Sequence, residues 1–353
     1  MSRSYKILLG LGALGIALII WRFFAGLGAS TALSDGYPLG LWIALDVVTG
    51  TALACGGYAV ALLVYIFNRG KYHPLVRPAI LTSALGYTMA GLSVAIDLGR
   101  PWNMWKIPLF IGDWNLNSAL LEVALCIMAY VVVLWIELTP ALLPPSRLTR
   151  ILDRALIWII ALGMLLPTMH QSSLGSLMLL AGPKLHPLWN TPLLPLLFLI
   201  TCLAMGYAMV VFESFFSGRP LSPMLANLQK IAIGIGIAFV ALRVADLAWR
   251  GHLGLAMQLD LYGIVFWIET LLWLAPVLLL SRSLFLAAMC IALAGALYRF
   301  DTYLVGFQPG PGWHYFPSVS EMFISIGLIA IEIAAYIALI KRFPILAGSR
   351  SHT

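Results

Sequence analysis

Long apolar blocks follow one another along this chain, separated by short stretches rich in Trp, Pro, Gly and charge. A helix rises about 1.5 Å per residue, so roughly 20 apolar residues cross the hydrocarbon of a bilayer. Ten blocks meet that length, at about 7–24, 39–67, 78–98, 116–138, 154–172, 192–215, 230–249, 261–281, 284–300 and 320–340. The pattern predicts an all-α polytopic membrane protein. The first block has a basic start, Arg3 and Lys6, and its core is followed by Trp21 and Arg22 with no clean small-residue cleavage site. It reads as a retained anchor helix.

Composition agrees with the pattern. The chain is 61% hydrophobic and 10% charged, where soluble domains carry about 25% charged residues. The net charge of +7 is spread over short loops, so it is no nucleic-acid patch. The four cysteines, Cys55, Cys126, Cys202 and Cys290, lie inside apolar blocks and form no C-x-x-C. A disulfide framework, a zinc site and a cysteine-ligated iron–sulfur cluster are unsupported.

Charge also predicts orientation. Fourteen of the 21 Lys and Arg residues, among them Arg69, Lys71, Arg147, Arg219, Lys341 and Arg350, fall on the side of the N terminus. Arg22, Arg100, Lys106, Lys184, Arg250 and Arg299 fall on the other. Basic loops stay cytoplasmic, so both termini are expected there, with the longer loops 25–38, 99–115, 173–191 and 301–319 outside.

A weak internal repeat runs through the blocks. Block three ends Asp97-Leu98-Gly99-Arg100 and block seven ends Asp246-Leu247-Ala248-Trp249-Arg250; the next block carries Glu122 in one case and Glu269 in the other. Two four-helix bundles, blocks two to five and six to nine, flanked by blocks one and ten, are the expected architecture. The corresponding regions are 1–38 (anchor and outer loop), 39–190, 191–319 and 320–353 (last helix and basic tail).

Ionisable residues inside apolar blocks are costly, at about 2.5 kcal/mol or more each near the bilayer centre, and point to function or pairing. They are Asp46, Asp97, Glu122, His170, Arg243, Asp246, Glu269 and Glu332, with Glu137, Glu213 and Glu321 nearer block ends. Depth places Asp46, Asp97, Glu122 and His170 toward the outer face of the first unit, where they are candidates for one pocket. The blander readings are a helix-end ion pair between Asp97 and Arg100, a hydrogen-bonded core His170, and an Arg243–Asp246 ion pair. Gly50, Ala54, Gly56 and Gly57 read as a close-packing stripe. Pro167 and the polar run after it predict a broken helix.

A bilayer-spanning b-type haem commonly takes two histidine ligands; only His170 lies within a block, so haem is disfavoured. No P-loop, H-E-x-x-H or dinucleotide fingerprint stands where it would have to be. Carboxylates and one histidine near one face suit a quinone head group, whose oxygens they can bond and protonate. Glu122 and Glu137, about 22 Å apart along a helix, suit the ends of a watered proton path. A proton-coupled carrier and a bare anchor are the competing classes.

Several contiguous segments resemble the NrfD/polysulfide-reductase membrane-subunit family. They are Gly36-Tyr37-Pro38-Leu39-Gly40-Leu41-Trp42, Phe67-Asn68-Arg69-Gly70-Lys71-Tyr72-His73-Pro74, Asp97-Leu98-Gly99-Arg100-Pro101, Leu166-Pro167-Thr168-Met169-His170-Gln171 and His186-Pro187-Leu188-Trp189. Within the family the chain closely resembles membrane subunits of nickel–iron hydrogenases. It implies a haem-free subunit in the bacterial inner membrane, holding no iron–sulfur cluster of its own. Its partners would be a ferredoxin-like iron–sulfur subunit and the hydrogenase small and large subunits, and its substrate a quinone, menaquinone above all. It places the quinone pocket at the outer face of the first unit, which assigns Asp46, Asp97, Arg100, Glu122 and His170 to it. Glu122, Glu137, Asp246 and Glu269 are then proton-path candidates. Another NrfD-type oxidoreductase is the alternative host.

Overall fold

The computed structural model describes residues 3–144, 146–216 and 223–346; Arg219, Arg350 and the tail beyond 346 lie outside them. Among the described residues, ten helices are long and apolar enough to cross a membrane. They are α1 (Arg3–Ala25), α2 (Trp42–Ile66), α3 (Val76–Asp97), α4 (Ala119–Leu142), α5 (Arg147–Ala181), α6 (Leu194–Phe216), α7 (Pro223–Trp249), α8 (Leu261–Leu279), α9 (Leu284–Val305) and α10 (Val319–Arg342). Each corresponds to one predicted block. Their alternation puts the start of α1 and the end of α10 on one side, called here the N side, and the longer loops on the far side.

Helices α2–α5 pack around one another as one bundle and α6–α9 as a second. The bundles meet where α2 and α5 lie against α6, and α2 against α9. The small-residue stripe explains how closely. A Cβ placed on Gly206 of α6 would stand 2.7 Å from the Cys55 carbonyl oxygen of α2, so only glycine lets the two backbones touch. Helices α1 and α10 pair with each other and rest against α3; a Cβ on Gly15 would meet the Gly327 Cα at 2.7 Å.

Three expectations are corrected. Helix α5 continues unbroken through Pro167 to Ala181. Thr168 Oγ1 donates to the Met164 carbonyl at 2.8 Å and Ser173 Oγ to the Met169 carbonyl at 2.8 Å. Hydroxyls of the polar run thus support the backbone around the proline instead of ending the helix. Arg299, placed in an outer loop by its position in the sequence, is fully buried inside α9, because the helix runs on through π-helical turns at Asp301–Val305. Its guanidinium joins the bundles, donating to the Val48 carbonyl of α2 at 3.1 Å and the Phe198 carbonyl of α6 at 2.5 Å. Finally, α3 stops at Asp97, and Leu98 is extended, so Arg100 is not one turn further along the same helix. It is exposed, and no ion pair joins it to Asp97 among the described residues.

The far-side loops are woven together. Tyr37 donates to the Phe307 carbonyl at 3.0 Å and stacks on Tyr315. Backbone bonds run from His186 to Gly306 (2.8 Å) and from Gln308 to Lys184 (2.6 Å). The His186 ring stacks on Tyr262 with centroids 4.2 Å apart. Burial lowers the imidazole's pKa, opposed by Asp260 and reinforced by His252. Residues 98–118 instead carry apolar side chains outward, with Trp102 and Leu109 each about two-thirds exposed.

Candidate functional site

Two polar groups form on opposite flanks of the α2–α3 pair. The first lies toward α1 and α10. Asp97 ends α3, half-buried, and its Oδ1 finds no hydrogen-bond partner. The cation beside it is Arg22, at the end of α1, whose buried guanidinium donates to the Leu98 carbonyl at 2.6 Å. That bond caps the C-terminal end of α3, where a cation is favoured. Glu321, buried in the first turn of α10, closes this corner. It accepts from the backbone N–H of Ala32 (2.9 Å) and of Ser318 (2.8 Å), and from the Tyr315 hydroxyl (2.7 Å). Burial and the neighbouring Glu321 both raise the Tyr315 phenol's pKa, so it stays a neutral donor.

Asp46 belongs to the same flank. It stands on a π-helical stretch of α2, Trp42–Thr49, a local geometry that often marks functional sites. Ser325 of α10 donates to Asp46 Oδ2 at 2.7 Å. From here a slot of about 610 Å³ runs toward the N side between α2, α3, α6 and α10.

The second group faces α4 and α5. His170 is fully buried; its Nε2 lies 3.3 Å from Thr51 Oγ1, and its Nδ1 has no partner. Gln171 donates to Thr51 Oγ1 at 3.1 Å and to the Tyr87 hydroxyl at 3.2 Å. The Tyr87 ring lies between His170 (5.5 Å, edge-on) and Tyr130 (4.6 Å). The His170 ring also lies beside the backbone of Val123, the residue after Glu122. Glu122 itself is half-buried in the first turn of α4, a turn capped by Ser118. Asp46, Asp97, Glu122 and His170 therefore divide between two flanks, Asp46 and Asp97 on one and Glu122 and His170 on the other. No hydrogen bond or ion pair joins any two of the four among the described residues.

Of the proton-path candidates, Glu137 lies against Gly163 of α5. In the second bundle the expected Arg243–Asp246 pair does not form. Arg243 instead donates to Glu269 of α8, both buried, inside a shell of Phe266, Tyr298, Trp189 and Phe239 rings. Asp246 pairs with Arg250 at 2.7 Å, an i,i+4 pair on α7. Residues 243 and 246 share a helix face, but Glu269 reaches Arg243 from across the bundle where water is excluded. Sequence reasoning missed Arg22, Arg299 and the role of Glu321. Their one signal was charge beside apolar blocks, and for Arg22 and Arg299 it reads equally well as a loop cation.

The family model for polysulphide reductase, NrfD, matches residues 13–300. The chain is 46% identical to the "Probable Ni/Fe-hydrogenase 2 b-type cytochrome subunit" of Escherichia coli, over 93% of this chain and 88% of that protein. It is 33% identical to the "Menaquinone reductase, integral membrane subunit" of Nitratidesulfovibrio vulgaris, over 43% of this chain and 37% of that one. It is 22% identical to a selenate reductase subunit of Mesobacillus selenatarsenatis, over 97% and 93%. With most of its length matched by the family model and nearly all of it by a close relative, the chain belongs to the NrfD family of polytopic membrane subunits.

Proposed function

We propose that the chain is the haem-free, quinone-reactive membrane subunit of a respiratory nickel–iron hydrogenase in the bacterial cytoplasmic membrane. Electrons arrive on the far side from a ferredoxin-like iron–sulfur partner, itself fed by the hydrogenase small and large subunits, and pass to a quinone, with menaquinone as the first choice. The N side, where basic residues gather, is cytoplasmic, and the far side is periplasmic. The similarity to proteins named as a Ni/Fe-hydrogenase subunit and a menaquinone reductase subunit supports this reading.

The observation that carries it is the buried Asp97 Oδ1, unpartnered at the far-side end of α3. Buried acceptors without a partner are rare in folded proteins, and a quinol hydroxyl would supply the missing donor. Asp97 takes the proton-exchanging role there, with Asp46 on the same flank and Arg22 as the fixed charge beside it. Arg100, exposed, faces the incoming partner, while His170 and Glu122 form the second flank. The name of one relative contains "b-type cytochrome", but the residues here do not fit a haem held by two histidines. His186, His252 and His314 lie outside the spans, His73 stands in the short 3-10 turn Gly70–Leu75 at the N-side start of α3, and the His170 Nε2 is already engaged with Thr51.

The test is hydrogen-dependent quinone reduction by the purified complex. Asp97→Asn should lower it by about 100-fold, in the range of a lost proton-transfer group, with the partner subunits still bound. Unchanged turnover in that variant removes Asp97 from the site. If His170→Leu alone abolishes turnover, the head group sits on the α4–α5 flank instead. A reduced-minus-oxidised spectrum of the complex should show no b-type bands.

A further inference from the structure

We propose that residues 101–117, the lobe between α3 and α4, lie on the bilayer itself, with their exposed aromatic and aliphatic side chains seated among the headgroups and upper acyl chains of the far-side leaflet. The proposal goes beyond the quinone reading and does not depend on it.

Helices α3 and α4 pack against each other, and antiparallel neighbours are usually joined by about 2–8 residues. Here 21 residues separate Asp97 from Ala119. The excess is folded into three short turns, Pro101–Asn103, Lys106–Leu109 and Ile111–Asp113. The Trp114 indole donates back to the Ile107 carbonyl at 2.7 Å and closes the lobe. Among the described residues, every hydrogen bond made by 101–117 stays within 100–118. The other long far-side loops bond to one another through Tyr37, His186 and Gln308, and the lobe bonds to none of them.

Its apolar side chains are left uncovered. Trp102, Trp105, Leu109, Phe110, Ile111 and Leu116 are all exposed. Trp105 and Phe110 meet edge-on with centroids 5.8 Å apart, and the Lys106 ammonium lies over both rings, at 5.8 and 5.9 Å. Concentrated apolar surface of this kind marks an interaction site.

Continuity with the lipid-facing surface of α4 identifies the occupant. The turn Lys106–Leu109 rests on α4, a helix most of whose residues are not buried in the protein. Leu116 is 85% exposed and Leu120 is 56% exposed, one on either side of the Ser118 cap. The surface that the span turns to lipid therefore runs into the lobe without a polar break. Composition agrees, since Trp102, Trp105 and Trp114 are of the residue type that gathers at the membrane–water boundary. Charge agrees as well. Lys106 and Asp113 are the only charged residues in 101–117 and cancel, so the lobe offers little field to steer a protein partner. A lysine between aromatic rings suits the headgroup level, where the rings bury and the ammonium reaches a lipid phosphate. Arg100, assigned above to the incoming partner, stands outside the lobe at its base.

The test uses the whole complex with Leu109→Cys or Ile111→Cys, labelled with a nitroxide in detergent and then reconstituted into phosphatidylcholine liposomes. Three native cysteines are buried and the fourth is half-buried, and the unsubstituted complex gives their background. At each site the collision rate with oxygen, which concentrates in lipid, is divided by that with a water-soluble nickel chelate. Leu120→Cys on α4 supplies the lipid reference, and Asp35→Cys, on an exposed far-side position, supplies the water reference. The ratios at Leu109 and Ile111 should exceed that at Asp35 severalfold, approach that at Leu120, and stay the same when the partner subunits are removed. Ratios equal to that at Asp35 overturn the proposal. So do labels that neither reagent reaches in the complex but both reach in the chain alone, which would put a partner protein on the lobe. A second variant combines Leu109→Asp with Ile111→Asp and is read at Leu116→Cys. Carboxylates are driven out of the acyl-chain level, so the ratio at Leu116 should fall severalfold toward the water reference, with co-purifying partners showing that the complex still assembles. An unchanged ratio at Leu116 overturns the proposal.

Discussion

Arg243 and Glu269 show what a buried charge demands of its surroundings. Each is almost fully enclosed, so removing one leaves the other unpaired in a medium that cannot solvate it. Arg243→Ala should cost about 3–5 kcal/mol, whereas Arg243→Met with Glu269→Met should restore most of that loss, since two apolar groups leave no orphaned charge. Thermal unfolding of the purified complex in detergent checks both. The sequence showed that these charges lie in apolar blocks, but not whom they meet. Neighbours in sequence suggested Arg243–Asp246, while the partner that won comes from the next helix, and distances across a bundle are not written in local spacing. Arg22 shows the same limit. It stands at a helix end like any loop cation, and its burial follows from α1 being packed under the end of α3.

Helix–helix approach was easier to read than charge pairing. The glycine stripe on α2 identifies close packing without naming the partner, and the structure supplies Gly206. Gly206→Ala should force α2 and α6 apart at the Cys55 carbonyl, for about 1–3 kcal/mol of overpacking, seen as a lower unfolding temperature. All ten helices were legible because length and apolarity decide crossing. Their internal irregularities were not. Pro167 promises a break that the nearby hydroxyls prevent, and the π-helical turns holding Asp46 and Asp301 follow no composition rule. The candidate site was therefore legible as a set of residues at one end of the first bundle, but not as two flanks divided by α2 and α3.

For the molecule as a whole, the woven far-side loops give a pH dependence with a definite sign. His186 has its folded-state pKa lowered from 6.5 by burial, so it packs on Tyr262 as the neutral ring. The unfolded segment takes up the proton first as pH falls, so the stabilisation is complete above about pH 6.5 and is lost as pH drops from there toward the lower folded value. Hydrogen exchange at 184–190 and 306–308 should quicken over that window. His186→Gln should flatten the dependence. Sidedness has its own measurement: a cysteine at Trp102 should label from the periplasm and one at Lys71 only after permeabilisation.

The pairing of α1 with α10 also sets an order of assembly. The first helix made is seated against the last, Gly15 on Gly327. The far-side corner around Asp97 needs Arg22 from one and Glu321 from the other. While the ribosome is still producing α4 to α9, the carboxylates of α2 and α3 have no α10 to cover them and must wait in the company of lipid, water or an insertion factor. A nascent chain arrested before Val319 would thus carry every residue of both bundles and still lack the Glu321 side of the far-side corner.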